Sequence, residues 1–321
     1  MENKTQTEDR WIKAFIKENF AEQKRTRRWG IFFKSLTFLY LFGAIFFFFN
    51  TQTNLLSDQQ KEPHTAMVQI KGVIAADKEA NANTIVTGLR AAFKNEFSQA
   101  VMLVINSPGG SPVQAGYVFD EIQRLRLLYP DKKLYAVIAE LGASGGYYIA
   151  AAADQIYADK ASLVGSIGVT ASSFGFVDLM NKVGVERRHY TSGKHKTFLD
   201  PFSPSKEAER DFWQEVLDVT HRQFINVVKT GRGDRINSDK NSTDLFSGLI
   251  WNGEQALALG LIDGLGSPGF VAREIVRAEN IVNYSVQPST IEKLTKRLGI
   301  SIGNGFANQL VSDNKGINLG L

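Results

Sequence analysis

Ser144 lies in the run Glu140-Leu-Gly-Ala-Ser-Gly-Gly-Tyr-Tyr-Ile-Ala150, and the lysine-rich turn Ser192-Gly-Lys-His-Lys196 follows it 52 residues later (196 − 144). A serine hydroxyl becomes a nucleophile when a neighbouring base takes its proton, and a lysine amine is such a base where burial favours its neutral form. The pairing therefore points to a Ser/Lys hydrolase. Small residues on both sides expose Ser144, and the Gly145 N–H behind it can stabilise developing negative charge, although a serine in that place can also be a plain helix cap. A second turn, Asn106-Ser-Pro-Gly-Gly-Ser-Pro112, carries paired glycines whose amides can face a ligand, so Gly110 and Gly145 together offer the two donors of an oxyanion hole. A third element, Gly165-Ser-Ile-Gly-Val169, sets Ser166 on an apolar segment, where its hydroxyl can hold an uncharged lysine amine. Spacing does not choose between Lys194 and Lys196, which share a face if their turn is extended.

A different triad is also written in the residues, because Gly142-x-Ser-x-Gly146 fits the pattern of a nucleophile elbow. The chain has four histidines. His64 precedes the folded part and His221 sits inside a long helix, which leaves His189 or His195 as base, with Asp178 or Asp200 to orient it.

These residues need a scaffold, and the pattern supplies one. Apolar strand-like runs at 67–75, 100–105, 134–139 and 155–158 alternate with helical patterns at 81–94, 113–128 and from Ser144 onward. Continuous apolar strands between helices argue for parallel βαβ units covered on both faces. Both glycine turns then fall at carboxyl ends of strands, where open α/β sheets bind ligands. Beyond them the pattern predicts a helix near 177–183, a strand near 185–190, a long helix from about Ser205 to Thr230, and helices at 253–259 and 268–278. Ser205 is the expected cap of the long helix, with Glu207 and Glu209 in its first turn.

With 43% apolar residues in a chain of 321, there is ample material for a core. The net charge of +4 resides in residues 1–34, which hold nine Lys/Arg against five Asp/Glu, so the remainder is balanced and no basic face for nucleic acid is implied. Lys24, Arg25, Arg27 and Arg28 precede the stretch Ile31–Phe49, 19 residues interrupted only by Lys34, Ser35 and Thr37. At about 1.5 Å per residue that reaches about 28 Å, enough to span a hydrocarbon core. The positive flank puts the N-terminus in the cytoplasm, and the absence of a small-x-small site after Phe46 favours an uncleaved anchor over a signal peptide. Trp11, Ile12, Phe15, Ile16 and Phe20 form an apolar stripe or belong to a loose tail. The organisation read from this is a cytoplasmic tail at 1–30, an anchor at 31–49, a linker at 50–65, a catalytic domain at 66–285 and an extension at 286–321, in which Ile291, Leu294 and Leu298 fit a helix stripe. With no cysteine in the chain, thiol nucleophiles, disulfides and thiolate metal sites are excluded. Neither Arg232-Gly-Asp234 nor the Asn241-Ser-Thr sequon is assigned a function.

Six motifs in order resemble the signal peptide peptidase A family of membrane-anchored Ser/Lys peptidases. They are Ile70-Lys-Gly-Val-Ile74, Asn106-Ser-Pro-Gly-Gly110, Ala143-Ser-Gly-Gly-Tyr-Tyr148, Gly165-Ser-Ile-Gly-Val169, Ser192-Gly-x-x-Lys196 and Trp251-x-Gly-Glu-Gln-Ala-Leu-x-Leu-Gly-Leu-Ile-Asp263. The resemblance, from about Ala66 to Ala278, implies an α/β fold of the crotonase/Clp-protease-like kind, a spiral of βαβ units. It implies Ser144 as nucleophile, Lys196 in preference to Lys194 as general base, Ser166 as support for the lysine amine, and Gly110 and Gly145 as oxyanion donors. It implies no metal and no cofactor, apolar or signal-peptide substrates, and a dome-shaped homo-oligomer of the short form, in which serine and lysine of one site can come from one chain or from neighbouring protomers. The compartment implied is a bacterial inner membrane with the catalytic domain on the periplasmic side. Thr197 stands where many members have Asp. A crotonase-like acyl-CoA enzyme shares the fold but has no use for the Ser144 and Lys196 pair, and an inactive membrane scaffold is the non-enzymatic alternative.

Overall fold

The computed structural model describes residues 2–237 and 242–286 and divides the chain into two compact units, 1–62 and 63–321. The extension beyond residue 286, with its expected helix stripe, and Asn241 lie outside the described residues.

The first unit is one helix, α1 (Glu2–Gln59). It continues through the stretch expected to be a linker because neither glycine nor proline interrupts residues 44–62, and the first strong breaker is Pro63. Within α1, Asn19–Phe47 is long and apolar enough to cross a membrane by length and composition. Its large apolar side chains, from Ile31 to Phe47, are exposed. Inside that stretch Thr37 Oγ donates to the Phe33 carbonyl at 2.9 Å, so its hydroxyl is satisfied without leaving the helix.

The second unit is built on one sheet. Strand β1 (His64–Lys71) pairs in parallel with β2 (Ser98–Ser107), and β2 with β3 (Leu134–Ala143). Strand β3 then changes partner: Tyr135–Ile138 lies beside β4 (Gln155–Ala158), and Leu141–Ala143 beside β5 (Leu163–Gly165). This change of partner splits the sheet beyond β3 into two branches, as a spiral of βαβ units requires. The edges are β6 (Ile250–Asn252), antiparallel to β5, β7 (Gly264–Leu265) on β4, and β8 (Ile281–Asn283) on β1. Between them run α2 (Ala82–Lys94), α3 (Pro112–Leu128), α4 (Gly145–Ala150), α5 (Val177–Val183) and α6 (Glu207–Arg232). The helices α7 (Ser242–Leu245) and α8 (Gly253–Ala258) follow.

Alternation along the strands decides what each face buries. Ala66, Val68 and Ile70 of β1 and Val101, Leu103 and Ile105 of β2 join a large core with α2, α3 and α4, while Met102 and Val137 join a smaller one with Tyr157 and Val271. Asn81 caps α2 by accepting from the Thr84 amide, and Ser111 caps α3 with Pro112 at its first position.

Three expectations need correction. Residues 185–190 are not a strand: they are exposed, and no strand among the described residues shares a ladder with them. The long helix begins at Glu207 with Lys206 at the cap position, and no side chain, Ser205 included, caps it. The predicted helix 268–278 is a short turn, Pro268–Phe270, followed by a wider π-type coil at Val271–Val276 that ends at Arg277 in the left-handed region, φ 61°.

Two ion-pair sites fasten this frame. Arg232 is fully buried, reaching Asp263 through two bonds of 2.7 and 3.0 Å and the Gly260 carbonyl at 2.9 Å, while the same Asp263 accepts from the Ile156 amide at 2.6 Å. An arginine so placed is structural, which removes Arg232-Gly-Asp234 as an exposed recognition tripeptide. The second site joins α2 to α3: buried Glu121 accepts from Arg90 at 2.7 Å and from Arg124 at 2.6 and 2.8 Å. The bonds from Arg124 and then Arg90 hold the Glu121 carboxyl down at about 2. A depressed folded-state value gives stability that is complete above the ordinary glutamate range and is lost as pH falls towards 2. Because both arginines are half-exposed and screened, we expect the contribution to be about 1–2 kcal/mol. Thermal unfolding of Glu121→Gln should accordingly show a smaller drop in Tm between pH 5 and pH 2 than the wild type shows.

Candidate active site

The turn after β2 is shaped by close approach. Gly109 has φ 95°, and a Cβ there would come within 2.6 Å of the Ser144 Cβ and of the Gly145 nitrogen. Gly110 has φ 148°, and its Cβ would fall 2.1 Å from the Ile74 carbonyl oxygen. Only glycine lets this turn lie against Ile74 on one side and the Ser144 turn on the other. The Ile74 amide donates to the Gly109 carbonyl and the Ser111 amide to the Ile74 carbonyl, both at 2.8 Å, which pins the backbone around Gly110. Gly110→Ala should therefore cost about 2–4 kcal/mol, read as a lowered unfolding midpoint.

Ser144 stands at the junction of β3 and α4 with φ 52° and ψ −124°, a region that costs a non-glycine residue about 1–3 kcal/mol. Its amide donates to the Gly165 carbonyl at 2.8 Å, which brings the neighbouring Ser166, itself at φ 51°, to the same place. The Ser144 side chain makes no capping hydrogen bond, although it occupies the cap position of α4. That removes the plain-cap reading of this serine. Three residues on, buried Tyr147 donates to the Leu261 carbonyl at 2.7 Å and so holds α4 against the turn that carries Asp263. The space at the Gly145 Cβ position is only 3.3 Å from the Gly110 nitrogen. Neither the Gly110 nor the Gly145 amide donates a hydrogen bond to any described residue.

Ser144, Gly110, Gly145 and Ser166 line one cleft of about 950 Å³. Its apolar wall comes from Val113 and Tyr117 of α3, Tyr148 of α4 and Phe224 of α6. Burial, and after it the charge of Asp120, pushes the Tyr148 phenol up from its ordinary value. His221 on α6 lies 3.0 Å from the Ile167 carbonyl through Nε2, tying the long helix to the segment that carries Ser166. The convergence of Tyr148, Asp120, Phe224 and His221 was missed from sequence, since each sits at an ordinary helical position and only the packing of α3, α4 and α6 brings them together.

Lys196 is not among the lining residues. It lies exposed in a turn where its amide donates to the Gly193 carbonyl at 3.2 Å, and Lys194, His189 and His195 are exposed on the same segment. No residue from 168 to 208 is buried, although Phe174 and Tyr190 are 79% and 93% exposed. Asp200, the suggested orienter of a histidine, is committed to Arg187 and to the Ser203 hydroxyl, and those bonds hold its carboxyl down at about 2. Among the described residues there is no cluster of three or more metal-ligating side chains.

Comparison with known proteins adds to this geometry. Residues 127–280 match Peptidase family S49. The chain is 30% identical over 223 residues to the putative protease MJ0651 of Methanocaldococcus jannaschii, covering 68% of this chain and 70% of that protein. It is 33% identical over 208 residues to a putative signal peptide peptidase SppA of Enterococcus faecium, covering 62% and 59%. A 46% identity over 178 residues links it to a protein of Brucella abortus named as the Na(+)/H(+) antiporter NhaA, covering 56% of this chain. The chain spans about a quarter of that relative's length, 24%.

Proposed function

The chain belongs to peptidase family S49, the signal peptide peptidase A family, and we propose on that footing that it is a membrane-anchored serine endopeptidase with a Ser144/Lys196 dyad acting on apolar peptides such as remnant signal peptides. The antiporter name carries nothing over, since the match takes in 24% of that protein. The observation that carries the proposal is Ser144 itself: a serine in a strained turn, its hydroxyl free of capping, in a partly apolar cleft with two amides that have no acceptor among the described residues.

In the proposed mechanism, Ser144 Oγ attacks the scissile carbonyl as its proton passes to the Lys196 amine. The carbonyl oxygen becomes an oxyanion that accepts from the Gly110 and Gly145 amides. The lysine ammonium then gives its proton to the leaving amine, which leaves an acyl-serine. Water, deprotonated by the same amine, hydrolyses that ester and regenerates the hydroxyl. Ser166 Oγ would hold the amine in place. Because Lys196 is exposed on an arm without a buried residue, we assign it to the cleft of a neighbouring protomer in a homo-oligomer, where the arm's apolar side chains also find cover. We further assign residues 31–49, which largely overlap the apolar helical stretch Asn19–Phe47, as the anchor, with the basic run Lys24–Arg28 before it on the cytoplasmic side and the peptidase unit across the bilayer.

The detergent-solubilised full chain should cleave an internally quenched apolar peptide with no metal or cofactor added. Failure to cleave any apolar peptide overturns the enzymatic reading and leaves a scaffold of the same fold.

A further inference from the structure

The wall of the cleft carries one charged side chain. Asp120 is the only Asp, Glu, Lys or Arg among the described residues that line it. It stands on α3 in the series Val113, Gly116, Tyr117, Asp120, spaced i, i+3, i+4 and i+7, so the four occupy one face of the helix and that face is the cleft wall. Nothing lies within 4 Å of the Cβ position at Gly116, which leaves the wall open at its middle. The next residue along, Glu121, faces the other way and is neutralised by Arg90 and Arg124, whereas Asp120 forms no ion pair with any described residue. The carboxylate thus sits in a cleft otherwise lined by apolar and uncharged side chains, with no cation of its own.

We propose that Asp120 is a specificity-determining residue that selects peptides bearing a lysine or arginine a few residues from the scissile bond. This rests on the reading of the cleft as a peptidase site. From the start of α3 beside Gly110, Asp120 is eight residues along the helix, about 12 Å at 1.5 Å per residue, which an extended substrate covers in about four residues. The apolar wall takes the side chains nearer Ser144, and the carboxylate takes a cation beyond them. A glutamate at that substrate position meets a like charge and is rejected.

A neutral, apolar quenched parent peptide with lysine, glutamine or glutamate placed in turn at each position within five residues of the cleaved bond tests this, using the full-length protein in detergent. The wild type should prefer lysine over glutamine by about three- to tenfold in kcat/KM at one position, with glutamate lowest there. Asp120→Asn should bring the lysine-to-glutamine ratio to about one, and Asp120→Lys should invert it. If either variant fails to fold, the wild-type lysine preference should still shrink as NaCl is raised, because an exposed carboxylate is screened. Cleavage of the parent with a flat scan overturns this inference and leaves the peptidase reading intact. Retention of the ratio in Asp120→Asn, or a preference indifferent to salt, overturns it as well. A wild type that cleaves no peptide overturns both.

Discussion

Replacing Ser144 with alanine should lower kcat/KM on an apolar peptide by about ten-thousand-fold or more while leaving the fold in place. The loss is large because the hydroxyl oxygen forms the acyl intermediate, and the oxyanion donors alone recover only the residual rate that remains in serine hydrolases stripped of their nucleophile. The fold should not respond, for two reasons. The Ser144 hydroxyl makes no hydrogen bond to a described residue that alanine would forfeit. Alanine also keeps the Cβ and therefore the same cost at φ 52°, so the unfolding midpoint should shift by the equivalent of no more than about 0.5 kcal/mol. Circular dichroism and thermal melting of the inactive variant check this half. Loss of activity accompanied by loss of structure would mean that Ser144 serves the turn and not the chemistry.

The second large effect concerns Lys196. Lys196→Ala should be as inactive as Ser144→Ala, and Lys196→Arg should not rescue it, because a guanidinium stays charged and cannot take a proton. Lys194→Ala should keep most activity. The exposed position of Lys196 adds a sharper consequence, since a cleft that draws its base from a neighbour works only when assembled. Coexpression of Ser144→Ala with Lys196→Ala should restore part of the activity that neither has alone, because some sites then pair an intact Ser144 with an intact lysine from the next protomer. Specific activity should also fall on dilution below the concentration at which the oligomer, followed by light scattering, dissociates. Coassembled variants that remain dead would place both groups within one chain.

Much of this arrangement was legible in the residues because its determinants are local. The paired glycines at 109–110 mark a turn at positive φ that other residues make only with strain, those at 145–146 open α4 in close contact with the Gly110 turn and Ser107, and the alternation of apolar strands with helical stripes sets β1 to β4 and α2 to α4 within a few residues of their observed ends. The edge strands β6, β7 and β8 were not legible. They are two or three residues long and exist through partners far off in the chain, as Thr65 to Met67 do for β8. Residues 185–190 have strand-like composition but no partner strand among the described residues, and composition alone does not make a ladder. Ser205 looked like a cap, yet Glu209 meets the Lys206 side chain at 3.0 Å and the Leu199 amide at 3.2 Å, so the helix start is organised from the preceding turn. At the site, Ser144 with its two glycine amides could be anticipated from motif chemistry. The location of Lys196 on an exposed arm, and of Asp120 alone in the wall, depends on packing that spacing does not encode.

The claim that Ser144 is a nucleophile activated by Lys196 is decided by one mass measurement. The full-length protein, treated in detergent with a fluorophosphonate that phosphonylates activated serines, is digested and the adduct mapped. A single adduct on Ser144 in the wild type, absent or slowed by orders of magnitude in Lys196→Ala, is the outcome expected here. An adduct on another serine, or equal labelling of Ser144 without Lys196, would contradict it.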